Sequence, residues 1–206
     1  MLNIENIKNM NIKTTVWLAA GWLAALAASA QPATLDDFNR ERLARSRRCM
    51  WVLGAWGAAN LAAGAIGAAG NSGEARAFHQ MNMAWGAVNL GIALPGLLRR
   101  SPATGFDLYR SSKALHQTQQ VFLFNAGLDV GYIASGFWAR ERAKTRSNPG
   151  RWRGFGNSIA LQGAFLLVFD LSSWYAHQRL ERRLQPFFQQ SSIGFNGQSL
   201  EWCWRF

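Results

Sequence analysis

Four stretches of the chain, Cys49–Ala69, Met81–Leu98, Gln120–Trp138 and Ser158–Ala176, contain no Lys, Arg or Glu and only two acids, Asp129 and Asp170. Each is 18–21 residues long. A helix rising about 1.5 Å per residue crosses a hydrocarbon core of roughly 30 Å in that length. The pattern predicts an all-α chain: a four-helix transmembrane bundle behind an N-terminal signal peptide, with a short irregular or hairpin-like tail over 184–206. The first stretch is the weakest of the four, because its many Ala and Gly residues contribute little transfer energy. It would insert on Trp51, Val52, Leu53, Trp56, Leu61 and Ile66.

Composition alone would not reveal this. The hydrophobic fraction is 49% and the mean hydropathy −0.09, both ordinary for a soluble protein. The averages conceal blocks: Arg45, Arg47, Arg48, Arg99, Arg100, Arg179, Arg182 and Arg183 adjoin the ends of apolar stretches. A net charge of +11 would elsewhere suggest nucleic acid. Cations at the ends of apolar helices instead reach toward lipid headgroups, so the expected partner is the bilayer and not nucleic acid.

At the N-terminus, Lys8 and Lys13 precede a short apolar run, Val16–Ala27. Ala28-Ser29-Ala30 then fits the small-x-small cleavage pattern of a signal peptide spanning 1–30. The segment 31–48 reads as an amphipathic lead-in helix capped by Thr34 and Asp37. A similar lead-in, Thr104–Gln120, precedes the third stretch. Trp51, Trp138, Trp152, Phe155, Trp174 and Tyr175 cluster near stretch ends, as an interfacial belt would. A cleaved signal puts Asn39–Arg48 outside, whereas the positive-inside rule prefers the opposite orientation. Leu200, Trp202, Trp204 and Phe206 alternate after an Asn-Gly pair, which is strand periodicity.

The interior of each stretch is polar: Asn60, Asn89, Asn125 with Asp129, and Gln162 with Asp170. A charge at bilayer depth costs about 3 kcal/mol on insertion scales, so these groups should face the bundle interior. Trp-Gly-Ala-x-Asn-Leu occurs twice, at Trp56–Leu61 and Trp85–Leu90, and predicts that Asn60 and Asn89 point toward each other and the aspartates. Gly57, Gly64, Gly67, Gly127, Gly131 and Gly136 would let the backbones approach. Phe124 stands five residues before Asp129 and Phe165 five before Asp170, the pattern of a short inverted repeat. A carboxyl pair at low dielectric would share a proton, which makes Asp129 and Asp170 the residues of a proton or cation path if one exists.

The histidines raise haem as a cofactor, through His116 and His177 just outside the third and fourth stretches. Bis-histidine ligation needs ligands within the bundle at matched depth, so no cofactor is expected. His79, opening a helix beside a Gly turn and close to Glu74 and Arg76, is better placed for a function. Cys49 and Cys203 have no metal-ligand spacing, and no hydrolase elbow, phosphate loop, zinc helix or triad spacing appears.

The run Gly73–Leu90, GEARAFHQMNMAWGAVNL, resembles a signature of a family of small bacterial membrane proteins of unknown function. Matching pieces are Phe38–Leu43, Met50–Leu61, Leu123–Gly136, Arg140–Lys144 and Leu161–Asp170, so the resemblance covers most of 38–183. It implies a signal peptide, four transmembrane helices and no assigned activity.

The expectation is a non-enzymatic structural or accessory protein of a bacterial inner membrane, with an unknown membrane or envelope protein as partner. The alternative is a small proton- or cation-coupled transporter using Asp129 and Asp170.

Overall fold

The computed structural model describes residues 34–98, 104–189, 191–195 and 200–204. The signal peptide expected over 1–30 lies outside the described residues, as do Arg99 and Arg100.

The body of the protein is four long helices: α1 (Leu35–Gly70), α2 (Gly73–Leu98), α3 (Leu108–Arg142) and α4 (Pro149–Glu181). The two lead-ins are not separate elements, since each runs unbroken into the apolar stretch behind it. Local chemistry sets the starts. Thr34 accepts from the Asp37 backbone N–H and donates its hydroxyl to the Asp37 carboxylate, an N-cap at the position its spacing predicted, with the second bond made between the two side chains. Asp107 caps α3 through the Arg110 N–H, and Asn148 caps α4 through the Arg151 N–H with Pro149 in the first turn. The Asn-Pro-Gly turn is therefore also a helix start. A 3-10 turn, Ala143–Thr145, ends α3. Only Asn71 and Ser72 separate α1 from α2, and Gly73 takes a φ of +58° there, a conformation that disfavours any residue with a Cβ.

Close packing pairs α1 with α2 and α3 with α4, each antiparallel, and sets α2 against α4. The tail has a short helix, α5 (Gln185–Gln189), then an antiparallel hairpin of β1 (Ser191–Phe195) and β2 (Leu200–Trp204) with Ile193 opposite Trp202. Strand periodicity had marked β2.

Glycine is why the pairs lie so close. A Cβ on Gly86 would sit 2.5 Å from the Leu61 nitrogen and 2.7 Å from the Gly57 oxygen. One on Gly136 would sit 2.7 Å from the Gly156 oxygen. Real side-chain carbons do not approach backbone so closely, so these positions exclude every larger residue at this spacing. Gly57, Gly64 and Gly67 also face α2. Gly127 and Gly131 do not: both are open. They lie on the exposed side of α3, so the small-residue pattern over-counted the contact face.

α1, α2 and α4 are long and apolar enough to cross a membrane, with mean hydropathies of 1.4, 1.2 and 1.3 in their best windows. α3 is not among them, and α1, expected to be weakest, is the highest. Gln117, Gln119, Gln120, Asn125 and Asp129 dilute α3, whereas the alanines of α1 score as apolar on this index. Even so, α3 turns Val121, Phe124, Leu128, Phe137 and Trp138 outward.

The distribution of polarity is inverted. Ile66, Val168 and Phe124 are 75%, 70% and 69% exposed, while Gln162, Asn89 and Asp129 are 0%, 1% and 2% exposed. Trp138 and Tyr175 are exposed near helix ends and Trp51 is exposed within α1 at the start of the first apolar stretch, but Trp174 packs against the apolar core.

Candidate functional site: the polar interior

One buried network holds three helices together. Gln162 of α4 donates to Asn60 of α1 at 2.8 Å and to Asn82 of α2 at 3.0 Å, and accepts from the Trp56 indole at 2.8 Å. Ser158, one turn before Gln162, donates to the same Asn82 oxygen at 2.6 Å. Asn60 turns its own amide N–H back onto the Trp56 carbonyl at 2.8 Å. The Trp56 ring stacks on Phe165 with centroids 3.9 Å apart, which fixes the indole N–H toward Gln162.

Asn60 thus meets Gln162, through which it is linked to Asn82, and not Asn89. The repeat explains this. Its glycines, Gly57 and Gly86, cross each other, and the helices are antiparallel. Each Asn stands three residues after its glycine, so the two lie on opposite sides of the crossing. Asn89 is buried with its amide nitrogen unpartnered. Asn125 is half-buried and joins neither polar group. Asn82 and Ser158 are the members that sequence reasoning missed. Ser158 and Gln162 are four apart, and that spacing marks one helix face.

A second polar group is acidic. The side chains of Asp129 on α3 and Asp170 on α4 meet within hydrogen-bonding reach, with one Asp129 oxygen left unpartnered and buried. Two carboxyls can hydrogen-bond only while they hold a proton between them. Asp170 and Ser173 also neighbour the free thiol of Cys49. The proposed Phe–Asp repeat does not extend to its aromatics: Phe165 stacks on Trp56 inside, whereas Phe124 is outside.

The histidines sit at two ends. His177 is fully buried, its Nδ1 donating to the Ser173 carbonyl at 2.8 Å and its Nε2 3.2 Å from the Ser46 hydroxyl. His116 is on the surface at that same end, with Nε2 3.2 Å from Glu181 and Nδ1 3.4 Å from Ser112. Gln119 also donates to Glu181. The hydrogen bond from His116 holds the Glu181 carboxyl, beyond the fourth apolar stretch, below the usual carboxylate range. His79 is at the other end, its ring filling the space opposite Gly67 and its Nδ1 without a partner. Among the described residues no three His, Cys, Asp or Glu side chains gather as a metal site.

Near His177 the helices are joined by charge. Arg45 reaches Glu41 at 2.7 Å and the Ala176 carbonyl at 2.7 Å, and Arg183 pairs with Glu41. Asn39 of α1 donates to Ser111 of α3 at 2.7 Å and accepts from the Arg42 Nε at 3.4 Å.

No curated protein and no solved structure matches the chain. A sequence profile of a family of unknown function does match, over residues 52–171, from the start of the first apolar stretch to just beyond Asp170. That span is more than half of the 206 residues, and the chain belongs to this family, DUF6992.

Proposed function

We propose that the chain is an integral, non-enzymatic membrane protein of a bacterial inner membrane, an accessory component whose polar interior joins four helices. One observation carries the reading: large apolar side chains face outward on all four helices, while amides and carboxyls face inward. In water that arrangement exposes far more apolar surface than a monomer tolerates. In lipid it is the expected one, because buried polar groups bind helices that have no hydrophobic drive to associate. Carbonate extraction at alkaline pH tests it. Retention in the membrane pellet is expected, and release into the supernatant would overturn it.

A second reading, a small proton- or cation-coupled carrier, is favoured by the meeting of Asp129 and Asp170 and by the unpartnered oxygen beside them. Intramembrane acids of this kind mark ion paths in other proteins. Proton flux in proteoliposomes, absent in the Asp129→Asn/Asp170→Asn protein, would support it.

A further inference from the structure

A cleft of about 1290 Å³ opens between α1 and α3 at the end of the bundle that holds His177. Among the described residues five cations line it, Arg40, Arg42 and Arg47 from α1 with Arg110 and Lys113 from α3, and no carboxylate does. Toward the middle of the bundle its walls are apolar, with Met50, Val121 and Phe122 at the start of the first and third apolar stretches. Arg40 and Arg110 have acids nearby, Asp37 at 3.5 Å and Asp107 at 3.9 Å, on exposed and screened side chains. Arg42 has none. It is 7% exposed, its Nε bonds the Asn39 oxygen at 3.4 Å, and among the described residues no acid pairs with it.

A buried guanidinium without a counter-charge is costly, and its planar fork suits the oxygens of a phosphate. Cations above an apolar wall match one molecular shape, an anionic headgroup on a hydrocarbon tail. We propose that this cleft binds one acidic phospholipid, with Arg42 holding the phosphate, Arg47 and Lys113 around it, and an acyl chain lying against Met50, Val121 and Phe122. The buried Asn39–Ser111 hydrogen bond ties the two helices beside the cleft, and Asn39 also accepts from the Arg42 Nε. The proposal rests on the membrane reading, since such a ligand is supplied by a bilayer.

The test is native mass spectrometry of the full chain, delipidated in detergent and titrated separately with phosphatidylglycerol, phosphatidylcholine and glycerol 3-phosphate. One phosphatidylglycerol per chain is expected, with phosphatidylcholine and glycerol 3-phosphate at least about tenfold weaker. Arg42→Gln should weaken phosphatidylglycerol about tenfold or more, the loss expected for one charge-assisted contact. Because Arg42 is buried, the exposed pair Arg47→Gln/Lys113→Gln gives a second measure and should also weaken binding. Arg153→Gln, an exposed cation at the other end, should leave it unchanged. Equal binding of phosphatidylcholine would overturn the headgroup assignment, and equal binding of glycerol 3-phosphate would make this a soluble-anion site. Unchanged binding in both cleft variants, or an equal loss in Arg153→Gln, would overturn the location. Carbonate extraction of the same wild-type protein keeps the two readings apart: failure of lipid selectivity in a carbonate-resistant protein sinks the cleft alone.

Discussion

Gln162 of α4 and Asn82 of α2 are joined at 3.0 Å in the buried middle of the bundle, and the same Gln162 amide nitrogen reaches Asn60 of α1. A single side chain therefore ties three helices. Gln162→Leu would leave the Asn60 oxygen and the Trp56 N–H without their partners, while Ser158 still serves Asn82. Interhelical hydrogen bonds in lipid are worth about 0.5–2 kcal/mol. Denaturation of the detergent-solubilised protein should show a loss of about 1–2 kcal/mol or slightly more. No change would mean that the network is not a stabilising element.

The glycine contacts give a sharper contrast. Gly86→Val must push α2 away from the Leu61 backbone, an overpacking that costs about 1–3 kcal/mol or more. Gly127→Ala lies in open space and should be neutral or slightly stabilising, since Ala is the better helix former by about 1 kcal/mol. Thermal melts of the two variants check the pair.

The two aspartates separate packing from transport. Asp129→Asn/Asp170→Asn keeps shape and hydrogen-bonding capacity, so helix content and melting midpoint should stay close to those of the native chain. On the packing reading, proton leak in proteoliposomes is the same for both proteins. A flux present in the native chain and abolished in the variant would replace packing with a relay.

Glu181 provides a dependence on pH. Its folded carboxyl is held below the ordinary value of 4.5, first by the His116 hydrogen bond. A depressed acid adds stability that is complete above that value and is lost as pH falls through the lower folded value. The side chain is 41% exposed, so screening limits the effect to about 0.2–1 kcal/mol. Acid titration of the melting midpoint should fall less steeply for Glu181→Gln than for the native chain.

Helix number, the Thr34 N-cap and the inward direction of Asn60, Gln162, Asp129 and Asp170 were legible in the sequence, because span length, capping and the cost of charge in lipid are local rules. Partner choice was not. The twin motif predicted an Asn60–Asn89 pair, yet antiparallel packing turns one copy end for end, and Gln162 of α4 takes the place. Gly127 and Gly131 show the same limit, since composition marks small residues but not the face they occupy. The cleft depends on how α1 and α3 stand across the bundle, a tertiary relation that no short motif encodes.

The central claim is that the outward apolar surface faces lipid. Spin labels at Ile66, Val130 and Val168, introduced one at a time as cysteines in a background with Cys49 and Cys203 replaced by Ser, measure this directly in reconstituted vesicles. The account predicts frequent collisions with oxygen and rare collisions with a water-soluble nickel chelate at all three positions. Ready access of the nickel chelate to all three would contradict it.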